Sequence, residues 1–125
     1  MQTYRRAGTV IFVSNRSPDA TVVQDIEARG LRMQWAANIR VAIDLLAPAR
    51  QKSVVVTELA LADGNWRDLI ERVRCVEKHI PIVLVTHAIT AELWWDALEC
   101  GVDDILSAPL LASRLRRLLE APFTP

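Results

Sequence analysis

The sequence predicts an α/β domain in which a parallel β-sheet is covered by helices on both faces. Three observations lead there. Short apolar runs alternate with amphipathic stretches five times along the 125 residues. The runs are continuous rather than alternating in polarity, as in strands buried on both sides, and the stretches between them carry apolar residues at helical spacing. Strand–helix alternation with right-handed crossovers then gives a parallel, layered sheet. The length suits one domain with one substantial core. No repeat, low-complexity segment or linker interrupts the pattern, so a single domain is expected over 1–125, with its core from about residue 8 to about residue 121.

The elements follow in order. Thr9–Val13 (TVIFV) reads as the first strand. Ser17 then offers a hydroxyl cap and Pro18 a first helical residue, opening a helix over Asp19–Arg29 that turns Val22, Val23 and Ile26 to one side and stops at Gly30. Leu31–Ala36 is a second, weaker strand, and Asn38 caps a helix carrying Ile39, Ala42, Ile43 and Leu46. Ser53–Glu58 is the third strand, followed by a turn at Asp63-Gly64-Asn65. A third helix has Trp66, Leu69, Ile70, Val73 and Val76 as its apolar stripe. Pro81–Thr86 is the fourth strand, Thr90–Gly101 the fourth helix and Asp104–Ser107 a short fifth strand. Leu110–Glu120 closes the pattern as a helix with Leu111, Leu115, Leu118 and Leu119 inward.

Composition narrows the function classes. Lys plus Arg equals Asp plus Glu at 15 each, so no global field draws in nucleic acid or an anionic membrane. Local basic clusters at Tyr4-Arg5-Arg6 and Arg114-Leu115-Arg116-Arg117 read as a solvated tail and a helix face. No stretch approaches the ~20 apolar residues of a membrane span. With no export signal at the N-terminus, Cys75 and Cys100 are expected to be reduced thiols of a cytoplasmic protein. They form no CxxC or His/Cys ligand cluster, and no metal site is expected. No P-loop or GxGxxG is present, and the Ser14–Pro18 loop lacks the glycines that let backbone approach a phosphate. A small phosphate- or nucleotide-binding protein is therefore only a minor alternative.

In a doubly wound sheet the functional groups gather at the C-terminal ends of the strands. Here those positions are Ser14, Asn15 and Arg16 after the first strand, Glu58 after the third, Thr86 after the fourth and Ala108 after the fifth. The segments VIFVSN, VVVTELAL, PIVLVTH and ALECGVDDILSAPL, which contain these residues, resemble a response-regulator receiver domain over essentially the whole chain. The resemblance implies a flavodoxin-like three-layer sandwich with strand order 2-1-3-4-5 and a place in bacterial two-component signalling.

It also implies five chemical groups. An acidic pair and a phosphoacceptor aspartate hold magnesium, while a hydroxyl and a lysine recognise the phosphoryl oxygens. The acidic pair aligns with Ser14-Asn15, the phosphoacceptor with Glu58, the hydroxyl with Thr86 and the lysine with Ala108, so only Thr86 matches. Magnesium favours octahedral oxygen ligands at about 2.1 Å, usually with one or two carboxylates. Two neutral side chains in place of two anions remove most of that attraction, and Ala108 removes a second cation. The extra methylene of Glu58 shifts its carboxylate by ~1 Å, a displacement that can cost ~100-fold in rate. The expectation is a degenerate receiver, without cofactor or enzymatic activity, serving as a protein-interaction module. The alternative is a working phosphoacceptor at a non-standard site.

Three readings of Glu58 stay open: mimicry of a phosphorylated state, with Arg16 pairing the carboxylate in place of metal and lysine; a silent pocket; or an unidentified ligand. Ile105 occupies the family's aromatic switch position and, with Thr86, forms the switch equivalent. The family likeness further implies docking or dimerisation through the fourth helix, fifth strand and last helix. Adjacent helical residues point about 100° apart, so one of Trp94 and Trp95 is expected to be partly exposed there, Trp95 serving as the anchor. Arg114, Arg116 and Arg117 are candidates for ion pairs across a dimer with Asp96, Glu99 or Asp103. Since the chain ends at Thr124-Pro125, soon after the last predicted helix, output is expected to pass to an unidentified signalling protein rather than to nucleic acid.

Overall fold

The computed structural model describes residues 8–46, 52–77 and 79–108. The elements run β1 (Gly8–Val13), α1 (Ala20–Ala28), β2 (Leu31–Ala36), α2 (Ile39–Leu46) and β3 (Ser53–Thr57). They continue with β4 (Ala60–Leu61), β5 (Gly64–Asn65), α3 (Trp66–Val76), β6 (Ile82–Thr86), α4 (Ala91–Glu99) and β7 (Asp104–Ser107). Five strands form one parallel sheet in the order β2-β1-β3-β6-β7. That is the predicted 2-1-3-4-5 arrangement, β6 and β7 being the fourth and fifth strands of the sheet. The predicted last helix, with Arg114, Arg116 and Arg117, lies outside the described residues, as does the Tyr4–Arg6 cluster.

The strand alternation divides the core between two faces. Val55 of β3 joins Ile11, Val13, Ile82 and Leu84 beneath α2, α3 and α4, where Ala42, Leu46, Leu69, Val73 and Ala97 meet it. Val54 and Val56 point the other way and pack with Val10, Val83, Val85 and Ile26 of α1. All five residues of β3 are buried. Burial of β2 is less complete than the apolar run implied: Arg32 and Trp35 are exposed, because β2 is an edge strand paired only with β1. Among the described residues no helix is long and apolar enough to cross a membrane.

Helix starts explain most boundary differences. The cap of α1 is Asp19, not Ser17: its carboxylate accepts from the Thr21 N–H at 2.8 Å, and Pro18 stays outside the helix. Aspartate and serine rank almost equally at this position; Asp19 has the extended backbone of a cap and directly precedes the helix. Gly30, at φ +81°, ends α1 as expected. Thr90 caps α4 through its hydroxyl, which accepts from Leu93 N–H at 3.1 Å. Asn65 caps α3 in a reciprocal box with Asp68. The predicted Asp63-Gly64-Asn65 turn is the end of a small antiparallel hairpin, Ala60 opposite Asn65 and Leu61 opposite Gly64. Val76 falls off the buried stripe of α3 and is 41% exposed at the end of the helix, one turn beyond the fully buried Val73.

Candidate functional site

The parallel sheet brings the ends of β1, β3, β6 and β7 to one rim. β3 delivers Glu58, whose N–H donates to the Val13 carbonyl at 3.2 Å as the last rung between the two central strands. The fully buried Thr57 hydroxyl donates to the Glu58 carbonyl at 2.8 Å, so the backbone carrying the acid is held on both sides. The half-buried carboxylate accepts from the Ser14 hydroxyl at 2.6 Å.

Ser14 is the best-held residue of the rim and only 2% exposed. Its N–H donates to the Ala36 carbonyl at 3.1 Å and its hydroxyl oxygen accepts from the Arg16 N–H at 3.2 Å. Its carbonyl accepts from the Trp35 indole N–H at 3.0 Å. Arg16 thus contributes its backbone, and Glu58 takes its hydrogen bond from serine rather than from the Arg16 guanidinium. The Arg16–Glu58 pairing that the mimicry reading invoked is absent: the ion pairs seen among the described residues include Arg29–Asp25, Arg67–Asp96 and Arg74–Asp103, none of which involves Arg16 or Glu58. The physical reason is reach: a buried hydroxyl one residue beyond β1 sits directly across from Glu58, whereas the Arg16 side chain lies out in solvent.

The remaining rim residues turn to their own surroundings. Asn15 is exposed, its amide directed at the Ala60 carbonyl at 3.5 Å. The Thr86 hydroxyl closes a small loop with Ala88, donating to its carbonyl and accepting from its N–H, both at 3.3 Å. Ala108 is half-buried against the α1 face and donates its N–H to the Thr86 carbonyl at 3.0 Å. Ile105 is 6% exposed and packs in the core on the α3/α4 side of the sheet. The rim therefore presents one carboxylate already bonded to a neutral hydroxyl. Among the described residues no group of three or more His, Cys, Asp or Glu side chains is placed to share a metal ion.

Two residues of this region were not legible from sequence. Trp35 was read only as part of a weak strand, yet its indole bridges β2 to the Ser14 loop. Asp63 was read as a turn former, yet its carboxylate accepts from the N–H groups of Ile39 at 2.8 Å and Arg40 at 3.2 Å, holding the start of α2. Partial burial raises the Asp63 carboxyl, but the amides of Ile39 and Arg40, its own amide and the charge of Arg72 together bring it below its ordinary value. No local signal announces a contact between residues so far apart in the chain.

On α4, Leu93, Ala97 and Cys100 face the core, as the spacing required. Both tryptophans are outside: Trp94 is 43% and Trp95 65% exposed, beside Leu98 at 51%. The expectation of a single exposed tryptophan is corrected by the narrow footprint of this helix, which fully buries only Ala97. Two of the carboxylates expected for a dimer contact have partners within the chain. Asp96 pairs with Arg67 at 2.5 Å. Asp103 accepts from Ile82 N–H at 2.7 Å and lies 3.9 Å from Arg74. Glu99 is exposed, while Arg114 and Arg117 lie outside the described residues. Cys75 and Cys100 are free thiols.

Comparison with known proteins follows the fold. No family model matches the chain. The transcriptional regulatory protein CusR of Escherichia coli (strain K12) is 33% identical over 79 residues, 60% of this chain and 35% of CusR. The response regulator protein PilR of Pseudomonas aeruginosa is 24% identical over 110 residues, 86% of this chain and 24% of PilR. The chain thus spans about a third or less of the length of these curated relatives. Among solved structures, the non-phosphorylated HemR receiver domain of Leptospira biflexa superposes with a TM-score of 0.72 at 25% identity, covering 94% of this chain and 98% of that one. A two-component response regulator from Clostridium difficile gives a TM-score of 0.77 at 21% identity, covering 93% and 98%.

In fold and in sequence this chain is similar to the receiver domains of two-component response regulators. Its sheet is the flavodoxin-like sheet of that class.

Proposed function

We propose that this receiver is an interaction module that has given up magnesium-dependent phosphorylation at the third strand. The observation that carries the reading is the 2.6 Å hydrogen bond from Ser14 to Glu58. It satisfies the acid with a neutral donor supplied by the protein itself, in the place where a phosphorylatable site gathers anions around a cation. One carboxylate, a serine hydroxyl and an amide turned to Ala60 make a poor donor set for a hard divalent ion. Thr86 is engaged with Ala88, and Ala108 offers no cation to a phosphoryl oxygen.

The test uses acetyl phosphate and beryllofluoride, each with magnesium, on the folded chain. The expected result is no phosphoryl mass increment and no change in tryptophan emission, although Trp35 sits against Ser14 and would report a rearrangement. A mass increment lost in Glu58→Gln would overturn the reading.

Signal output then passes through protein contacts. The exposed Trp94, Trp95 and Leu98 on α4 support this helix as the contact surface, because aromatic side chains dominate binding hot spots. The occupant we assign to it is a second copy of the chain. Sedimentation that finds only monomer at high concentration would remove that assignment.

A further inference from the structure

The helix that carries the exposed tryptophans is thinly attached by apolar packing. α3 buries Trp66, Leu69, Ile70 and Val73, whereas α4 fully buries Ala97 alone, with Leu93 and Cys100 partly packed against the core. A methyl group and two partly covered side chains remove little apolar surface from water, so polar contacts weigh heavily in where α4 sits.

Those contacts come from two arginines of α3. Arg67, in the first turn, reaches Asp96 in the middle of α4 at 2.5 Å. Its guanidinium lies over the Trp66 ring, 4.9 Å from the centroid, and Trp66 is itself only 6% exposed. The buried ring is thus a fixed platform that limits the freedom of the arginine before the ion pair forms. Arg74, two turns later, donates to the Ile80 carbonyl at 2.6 Å and to the Gly101 carbonyl at 3.1 Å. Gly101, at φ +83°, is where the chain leaves α4. The two arginines therefore hold α4 at its middle and at its exit.

We propose that Arg67 and Arg74 are positioning residues, a clasp from α3 that sets the pose of α4 and hence of the Trp94, Trp95 and Leu98 surface. This deepens the interaction-module reading and rests on it only for the use made of that surface. Because the Arg67–Asp96 pair is about half exposed on both sides, salt weakens it. The Arg74 bonds to carbonyls respond less to salt and more to the shape of the guanidinium fork.

Backbone amide exchange on the full chain tests the clasp without reference to any partner. Arg67→Ala and Asp96→Ala should each speed exchange of the α4 amides by about two- to fivefold while leaving β1 and β3 unchanged. The double variant should be no faster than either single, and the charge exchange Arg67→Asp with Asp96→Arg should restore slow exchange. Arg74→Lys keeps the charge but loses the two-carbonyl fork, and should speed exchange at the C-terminal end of α4. Unchanged α4 exchange in both Arg67→Ala and Asp96→Ala would overturn the proposal, as would independent, additive effects of the two. If Trp95→Ala leaves self-association untouched, the contact surface falls while the clasp, read by exchange alone, stands.

Discussion

Ser14 and Glu58, forty-four positions apart, are joined by a 2.6 Å hydrogen bond that links the ends of the two central strands. At this length it is among the shorter O–H···O hydrogen bonds. Serine is buried and glutamate half-buried, so the bond is only partly open to competition from water.

Removing the donor should therefore be felt. Ser14→Ala is expected to lower stability by about 1 kcal/mol, water replacing part of the lost contact. Glu58→Gln keeps an acceptor facing Ser14 and should cost less. Denaturant titration distinguishes them: the midpoint should fall more for Ser14→Ala, with the slope unchanged in both. A larger loss for Glu58→Gln would mean that charge, not the hydroxyl bond, holds the rim.

Asp63 should behave as a cap supplied from outside the helix it serves. Asp63→Ala leaves the Ile39 and Arg40 amides without the carboxylate and is expected to cost about 1 kcal/mol. The folded-state carboxyl lies below its ordinary value of 3.8, so its contribution is present above that value and fades as pH falls through the lower folded-state value. Thermal unfolding of wild type and Asp63→Asn should differ at neutral pH and converge in acid below that value. A gap that persists in acid would assign the effect to shape instead of charge.

Gly64 is favoured by its backbone, and a side chain there would displace its neighbours. Its φ is +154°, and an added Cβ would meet Asp68 Oδ2 at 2.7 Å and Ile39 Cδ1 at 2.9 Å. Gly64→Ala should lose about 2 kcal/mol by strained backbone and displacement of the Asp68 cap. The measurement is again the denaturant midpoint, and a change within the error of the titration would refute the crowding.

Trp95→Ala separates folding from association. At 65% exposure the ring contributes little to the domain's own stability, so unfolding should move by less than about 0.5 kcal/mol. Self-association measured by sedimentation should weaken by about tenfold or more if the ring is a hot spot.

The sheet and its order were readable because they rest on local signals. Val54-Val55-Val56 is a short β-branched run that suits a strand covered on both faces, and Gly30 and Thr90 mark helix ends by their own backbone and hydroxyl chemistry. Rim positions were readable too, since strand ends in a parallel sheet must converge on one side. Which atoms meet there was not. Arg16 was one candidate partner for Glu58, but the buried Ser14 hydroxyl is the group that reaches it.

By itself the sequence determined the layered α/β class, the extents of β2 and β7, and the identity of the residues delivered to the rim. Tertiary structure alone decided that Glu58 is bonded to serine, that Asp63 caps a helix beginning at Ile39, and that α3 arginines grip α4. The difference is physical. Periodicity and caps act over one or two turns of chain, whereas a side-chain bond between distant segments depends on packing distances that no local pattern encodes.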